Sequence, residues 1–245
     1  MELLKYRLII LFFIISATDM NASGRSEVYH AYISNNMELW EKVMNRMNSL
    51  KDKNNDLILE LVNYQYGYIG YCLRFDRKDD AMEYLDLLQE NIDLLEKRNF
   101  RLSTINAYKS AICGFRMEYN ILSIPFNGLK SIRYAKLALE LDSNNYMAYI
   151  QNGNVQIHMP VSAGGSKKLG ISYYNKAREM LEKDKEGTSE NWNYMNLLVD
   201  IAQSYCLINE LSLAKEIYDY ILHLEPDFNY VRDDLYPDLL KKMQL

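Results

Sequence analysis

The stretch VDIAQSYCLINELSLAKEIYDYILHLEP, residues 199–226, decides the fold. Ala202 and Tyr205 stand three apart, Ala214, Tyr218 and Ile221 follow at intervals of four and three, and Pro226 closes the run. Those intervals keep one face of a helix apolar, first before and then after the polar break at Asn209 and Glu210. Small residues at Ala202 and Ala214 let two antiparallel helices approach closely, the rings fill the space beside them, and proline stops the second helix. The reading is a helix pair, and a pair cannot bury its own apolar face alone.

Composition agrees with an all-α chain. Of 245 residues 49% are hydrophobic and 25% charged, which excludes wholesale disorder. Only four prolines and ten glycines leave little turn chemistry for a protein of many strands. The net charge of −5, with no dense Lys/Arg block, argues against a nucleic-acid partner. Cys72, Cys113 and Cys206 are odd in number and far apart, so they read as buried free thiols.

The first residues, MELLKYRLIILFFIISATDMNASG, place Lys5 and Arg7 ahead of an apolar run from Leu8 to Ile15, with small residues after it. That order is secretory-signal grammar, and eight apolar residues make only about 12 Å of helix, too short to span a bilayer. Residues 1–22 are therefore expected to be a signal peptide cleaved after Ala22, with Ala17 as the alternative site, leaving an exported periplasmic or cell-envelope domain over 23–245 and no membrane span. Removing Glu2, Lys5, Arg7 and Asp19 leaves the net charge unchanged.

Counted as a 34-residue unit from Met195, the quoted stretch puts Leu198, Ile201, Ala202, Tyr205, Ala214, Tyr218, Ile221 and Pro226 in the slots of a tetratricopeptide repeat, which it resembles. The resemblance continues through weaker units at about 25–50, 55–97, 101–143 and 146–184, with the strong unit at about 191–226 and a capping helix at 228–243. In the second, Ile69, Cys72, Ala81, Leu85 and Leu88 fit. In the third, Gly114 takes the close-approach slot, but Ser131, Ala135 and Ala138 arrive five residues late. In the fourth, Gly153 is followed by Gly170, Tyr174 and Ala177 at the same delay. Longer turns are expected at SIPFNG, with Pro125 and Gly128, and at MPVSAGG, with Pro160, Gly164 and Gly165; both are candidate functional loops, weighed against mere connectors.

The resemblance implies a right-handed α-solenoid of antiparallel helix pairs whose first helices line a concave face that binds a protein or peptide. Carried over slot by slot, that face includes Tyr66, Arg74, Tyr108, Phe115, Tyr119, Asn154 and His158. Tyrosine is abundant, 21 residues in all, and suits an extended peptide or a planar or sugar-like ligand, offering a stacking face and a hydroxyl at small entropic cost. The competing reading is that half of these rings pack between repeats. A narrower resemblance, in the proline-to-AGG turn and the following Tyr174 and Ala177, is to the T component of tripartite ATP-independent periplasmic transporters, which implies a solute-binding partner.

Catalysis is not expected. His30, His158 and His223 fall in different units, and no HExxH, GxSxG, CxxC, Walker A or GxGxxG occurs. GGSKK at 164–168 lacks the Gly-Lys-Ser/Thr order of a phosphate loop and reads as a Ser166 helix cap. No cofactor or metal is expected.

Overall fold

The computed structural model describes residues 24–183 and 185–244, so the expected signal peptide lies outside the described residues. Within them the chain is helical, with helices α1 (Arg25–Ile33), α2 (Met37–Ser49), α3 (Asn55–Arg74), α4 (Lys78–Lys97), α5 (Leu102–Tyr119), α6 (Ile124–Leu141), α7 (Tyr146–His158), α8 (Lys167–Leu181), α9 (Lys185–Thr188), α10 (Trp192–Leu207), α11 (Leu211–Leu224) and α12 (Tyr236–Met243).

Short polar caps delimit them. Asn36, Asn54 and Ser166 each accept a hydrogen bond from the backbone N–H three residues on, at Leu39, Leu57 and Leu169. Asn35, Asp76 and Asn209 take the left-handed conformation that ends the preceding helix. Ser166 thus opens α8 as a cap.

Consecutive helices pack as antiparallel pairs, α1 with α2, α3 with α4, α5 with α6, α7 with α8 and α10 with α11, and the second helix of each pair packs on the first helix of the next, with the first helices α3, α5 and α7 also in contact. The result is an α-solenoid of helix pairs. Its last pair carries the decisive stretch as read: Ala202, Ala214 and Ile221 are fully buried and Tyr218 nearly so. In the fourth pair a Cβ on Gly153 would come within 2.3 Å of the Tyr174 ring, which is the close approach the spacing implies. Cys72 and Cys113 are buried free thiols, while Cys206 is half-buried. At the C-terminus a wide π-turn, Tyr230–Leu235, runs straight into α12 just ahead of Pro237, which has no N–H to continue the ordinary ladder.

The third pair departs from expectation in two ways. SIPFNG is not a long turn: after a 3₁₀ step at Ile121–Ser123, α6 begins at Ile124 with Pro125 in its first turn, and Gly128 is helical. Proline is tolerated there because the first turn needs no intrahelical donor. The close contact also sits one turn earlier than Gly114, beside which a Cβ would meet nothing within 4 Å. Ser110 and Ser131 take that role, each hydroxyl donating to the other's carbonyl at 2.9 and 3.0 Å. The extra residues therefore lengthen the arms of the hairpin. MPVSAGG does form a loop, with a 3₁₀ turn at Val161–Ala163 and Gly164 at φ +98°.

Ala202→Leu and Ala214→Leu are each expected to destabilise the fold by about 1–3 kcal/mol, because extra methylenes at a filled helix contact force strain. Thermal melts read this directly; unchanged midpoints would remove both residues from the contact.

Candidate functional site

The first helices α3, α5, α7 and α10 converge on the inner side, and α1 joins them from the other end of the chain. The first pair packs against the fifth, so the inner side is closed across rather than left as an open trough. Tyr29 donates to the Glu225 carboxylate at 2.5 Å, Tyr32 to Asn196 Oδ1 at 2.9 Å, and Asn229 to the Ser34 carbonyl at 2.9 Å. Trp40 and Trp192 meet edge to face, 5.0 Å between ring centres. Gly67 lies between them: a Cβ there would stand 2.6 Å from one indole and 2.8 Å from the other.

Beside this closure the polar side chains form two hydrogen-bonded groups that meet through the Tyr66 ring. Trp192 Nε1 donates to Asn63 Oδ1 at 2.8 Å, Asn63 donates to the Tyr108 hydroxyl at 2.8 Å, and Asn63 and Asn193 bond reciprocally. Further along, Tyr174 donates to Asn154 at 2.5 Å, Asn154 to Gln151 at 3.2 Å, and Gln151 to the Tyr66 hydroxyl at 3.2 Å. The Tyr66 ring touches Tyr108 and Phe115, each at 5.6 Å, and Trp192 at 6.2 Å.

At the edge of this network is Asp200, the single charged residue of α10. It accepts from Asn196 Nδ2 at 2.8 Å. Burial pushes its carboxyl up to about 7, against the opposing pull of the Arg74 charge and the Asn196 bond. Tyr66 is pushed up to about 12, by burial first and then by the nearby Asp200 charge. Its hydroxyl therefore stays protonated throughout the physiological range. Arg74, at the exposed end of α3, lies over the Tyr230 ring at 4.9 Å.

Of the seven residues expected on the concave face, Tyr66, Phe115 and Asn154 come together here, half-buried, with Arg74 exposed nearby. Tyr108 is only 2% exposed and belongs to the packing between first helices. Tyr119 and His158 are exposed at the ends of α5 and α7; the partial loss of solvent around its ring, and then the Lys167 charge, hold the His158 imidazole below its ordinary value. Asp200, Tyr174 and Trp192 were not among the expected site residues. A lone carboxylate in the otherwise uncharged run WNYMNLLVDIAQSYCL is the signal that points to the first of them.

One face of the cluster is open. Gly70, one turn beyond Tyr66, and Gly114, next to Phe115, are both positions where an added Cβ would meet nothing within 4 Å. Two rings, an amide, a guanidinium and a carboxyl with a displaced proton equilibrium thus gather near these two positions. Such a set stacks and hydrogen-bonds; it contains no nucleophile activated by a base. Among the described residues no group of three His, Cys, Asp or Glu is placed to hold a metal ion.

Among solved structures, the chain is similar to the HusA haemophore from Porphyromonas gingivalis. The two share a TM-score of 0.55 over 77% of this chain and 89% of that one, at 14% identity, which is a likeness of fold. No family model and no curated protein matches the chain.

Proposed function

We propose that the chain is a non-catalytic, exported binding protein of the tetratricopeptide-like class that takes a compact, ring-bearing ligand beside Tyr66 and Phe115. The observation that carries this reading is the half-buried pair of rings facing open space at Gly70 and Gly114, with Arg74 and Asp200 on its border. Rings give a flat ligand a stacking surface, and Arg74 offers a cation to an acidic substituent. A planar tetrapyrrole with carboxylate arms meets both demands. The fold shared with a protein named as a haemophore makes it the first ligand to try.

An extended peptide along the whole inner side is a poorer fit, since Trp40, Trp192 and Tyr108 already fill the middle of it. A transporter-associated role with a solute-binding partner draws no support from the arrangement of these side chains.

Titrating haemin into the purified chain is expected to give a saturable change in the haem absorbance band and to quench tryptophan fluorescence, because Trp192 lies beside Tyr66. Combining Phe115→Ala with Arg74→Ala should weaken binding at least tenfold while leaving the melt within a few degrees of wild type. No saturable change would rule out the tetrapyrrole, and unaltered affinity in a folded double variant would place the ligand elsewhere.

A further inference from the structure

The tip of the α5–α6 hairpin is the most apolar exposed surface among the described residues. Ile121 is 73% exposed, Leu122 89%, Phe126 67% and Leu129 73%, with Ile124 and Tyr119 also exposed. From Tyr119 to Leu129 there is no charged residue at all. Such side chains gather at the end of the hairpin, beyond the contact between Ser110 and Ser131, which are 21 positions apart in the chain. The arms reach out, and what they carry to the end is hydrocarbon. An exposed patch of this kind on a folded chain calls for a partner surface.

The charges behind the tip say what kind. Arg116, Lys130, Arg133 and Lys136 are set against Glu118 alone between residues 116 and 136, a local excess of three positive charges on a chain whose net charge is −5. Lys130 Nζ stands over the Phe126 ring at 4.1 Å, so a cation is held at the border of the apolar tip. Apolar end first and basic collar behind is the order of depth that a bilayer presents, hydrocarbon below and anionic headgroups above. A water-facing loop would have inverted it.

We propose that the α5–α6 tip is a membrane-docking element that inserts Ile121, Leu122, Ile124, Phe126 and Leu129 into the surface of an anionic bilayer, with Lys130, Arg133 and Lys136 held at the headgroups. The attachment is interfacial. No helix among the described residues is long and apolar enough to cross a membrane, and the tip needs none, since insertion to the depth of one helical turn covers its exposed hydrocarbon.

The test uses a chain beginning at Gly24, which contains every described helix and lacks the apolar run from Leu8 to Ile15 that would enter a bilayer by itself. Sedimentation with phosphatidylglycerol/phosphatidylcholine vesicles is expected to pull down the wild-type chain, and pure phosphatidylcholine vesicles to pull down several-fold less. Leu122→Asp with Phe126→Asp should lower binding at least tenfold, and Lys130→Glu with Arg133→Glu should remove the preference for phosphatidylglycerol. All four side chains are exposed or at the surface, so melts of both variants should match wild type. Fluorescence of a Leu122→Trp chain should be quenched by brominated lipid, which reports insertion rather than adsorption. Three results would overturn the proposal: no sedimentation of wild type with anionic vesicles, undiminished sedimentation of the Leu122→Asp, Phe126→Asp chain, or a wild-type dimer in solution that this double change makes monomeric, since the tip would then be covered by a second copy.

Discussion

Replacing Trp192 by alanine is expected to lower the stability of the folded chain by about 3–5 kcal/mol, the range for deleting a large buried ring. Trp192 is only 5% exposed, and its indole touches Trp40 at 5.0 Å, Tyr32 at 5.9 Å and Tyr66 at 6.2 Å. Edge-to-face ring pairs add to the burial itself. The indole N–H also satisfies Asn63, although the bond from Asn193 to Asn63 survives the change. Relaxation into the gap is limited because Gly67 lies against the same two indoles and offers no side chain to fill it. Equilibrium unfolding in urea measures the loss. A change below about 1 kcal/mol would mean that the contact between the first and fifth pairs adds little to the fold.

Asp200→Asn should act in the opposite direction, increasingly so as the pH rises from about 4 to about 7. Burial raises the Asp200 carboxyl from 3.8 to about 7, so the folded chain keeps this proton to a higher pH than the unfolded chain does. The stability this contributes is fully present below about pH 4 and is lost as the pH climbs through about 7. Asparagine keeps an oxygen to accept from Asn196 and carries no charge to desolvate. The variant is therefore expected to match wild type near pH 4 and to exceed it at pH 8 by roughly 2–4 kcal/mol. Thermal melts at pH 4, 6 and 8 supply the comparison. Coincident midpoints at pH 8 would show that Arg74 compensates the carboxylate in full.

Local packing was legible in the sequence wherever one slot had one occupant. Ala202, Ala214, Tyr218 and Ile221 lie buried where their intervals put them. The third pair was misread because two small residues competed: Ser110 and Gly114 are one turn apart, and periodicity alone does not say which of them meets the partner helix. Pro125 and Gly128 look like turn residues, but proline is equally at home in the first turn of a helix, and that is where the chain uses it. The candidate site was half legible for a different reason. Tyr66, Phe115 and Asn154 follow from the slots of their own units, whereas Trp192 reaches Asn63 across 129 positions. A pattern that repeats from unit to unit contains no information about the first unit meeting the last. Asp200 alone left a local trace, as the one charge in an uncharged helix.

That meeting also sets an order in time. In an open stack each pair rests on its neighbours and the chain can fold as it is made, one pair after another. Here Tyr32 on the first pair has ring partners at Trp192 on α10 and at Phe228 beyond it, and Trp40, which rests on Tyr64 of α3, has its other indole partner at Trp192. During synthesis the Arg25–Ser49 hairpin is complete early but must keep those rings uncovered until nearly the whole chain has emerged. The middle pairs, held by contacts close in sequence, can form first. The first pair is thus the last to find its full set of partners, and a chain cut short before Trp192 leaves the Trp192 side of Trp40 uncovered.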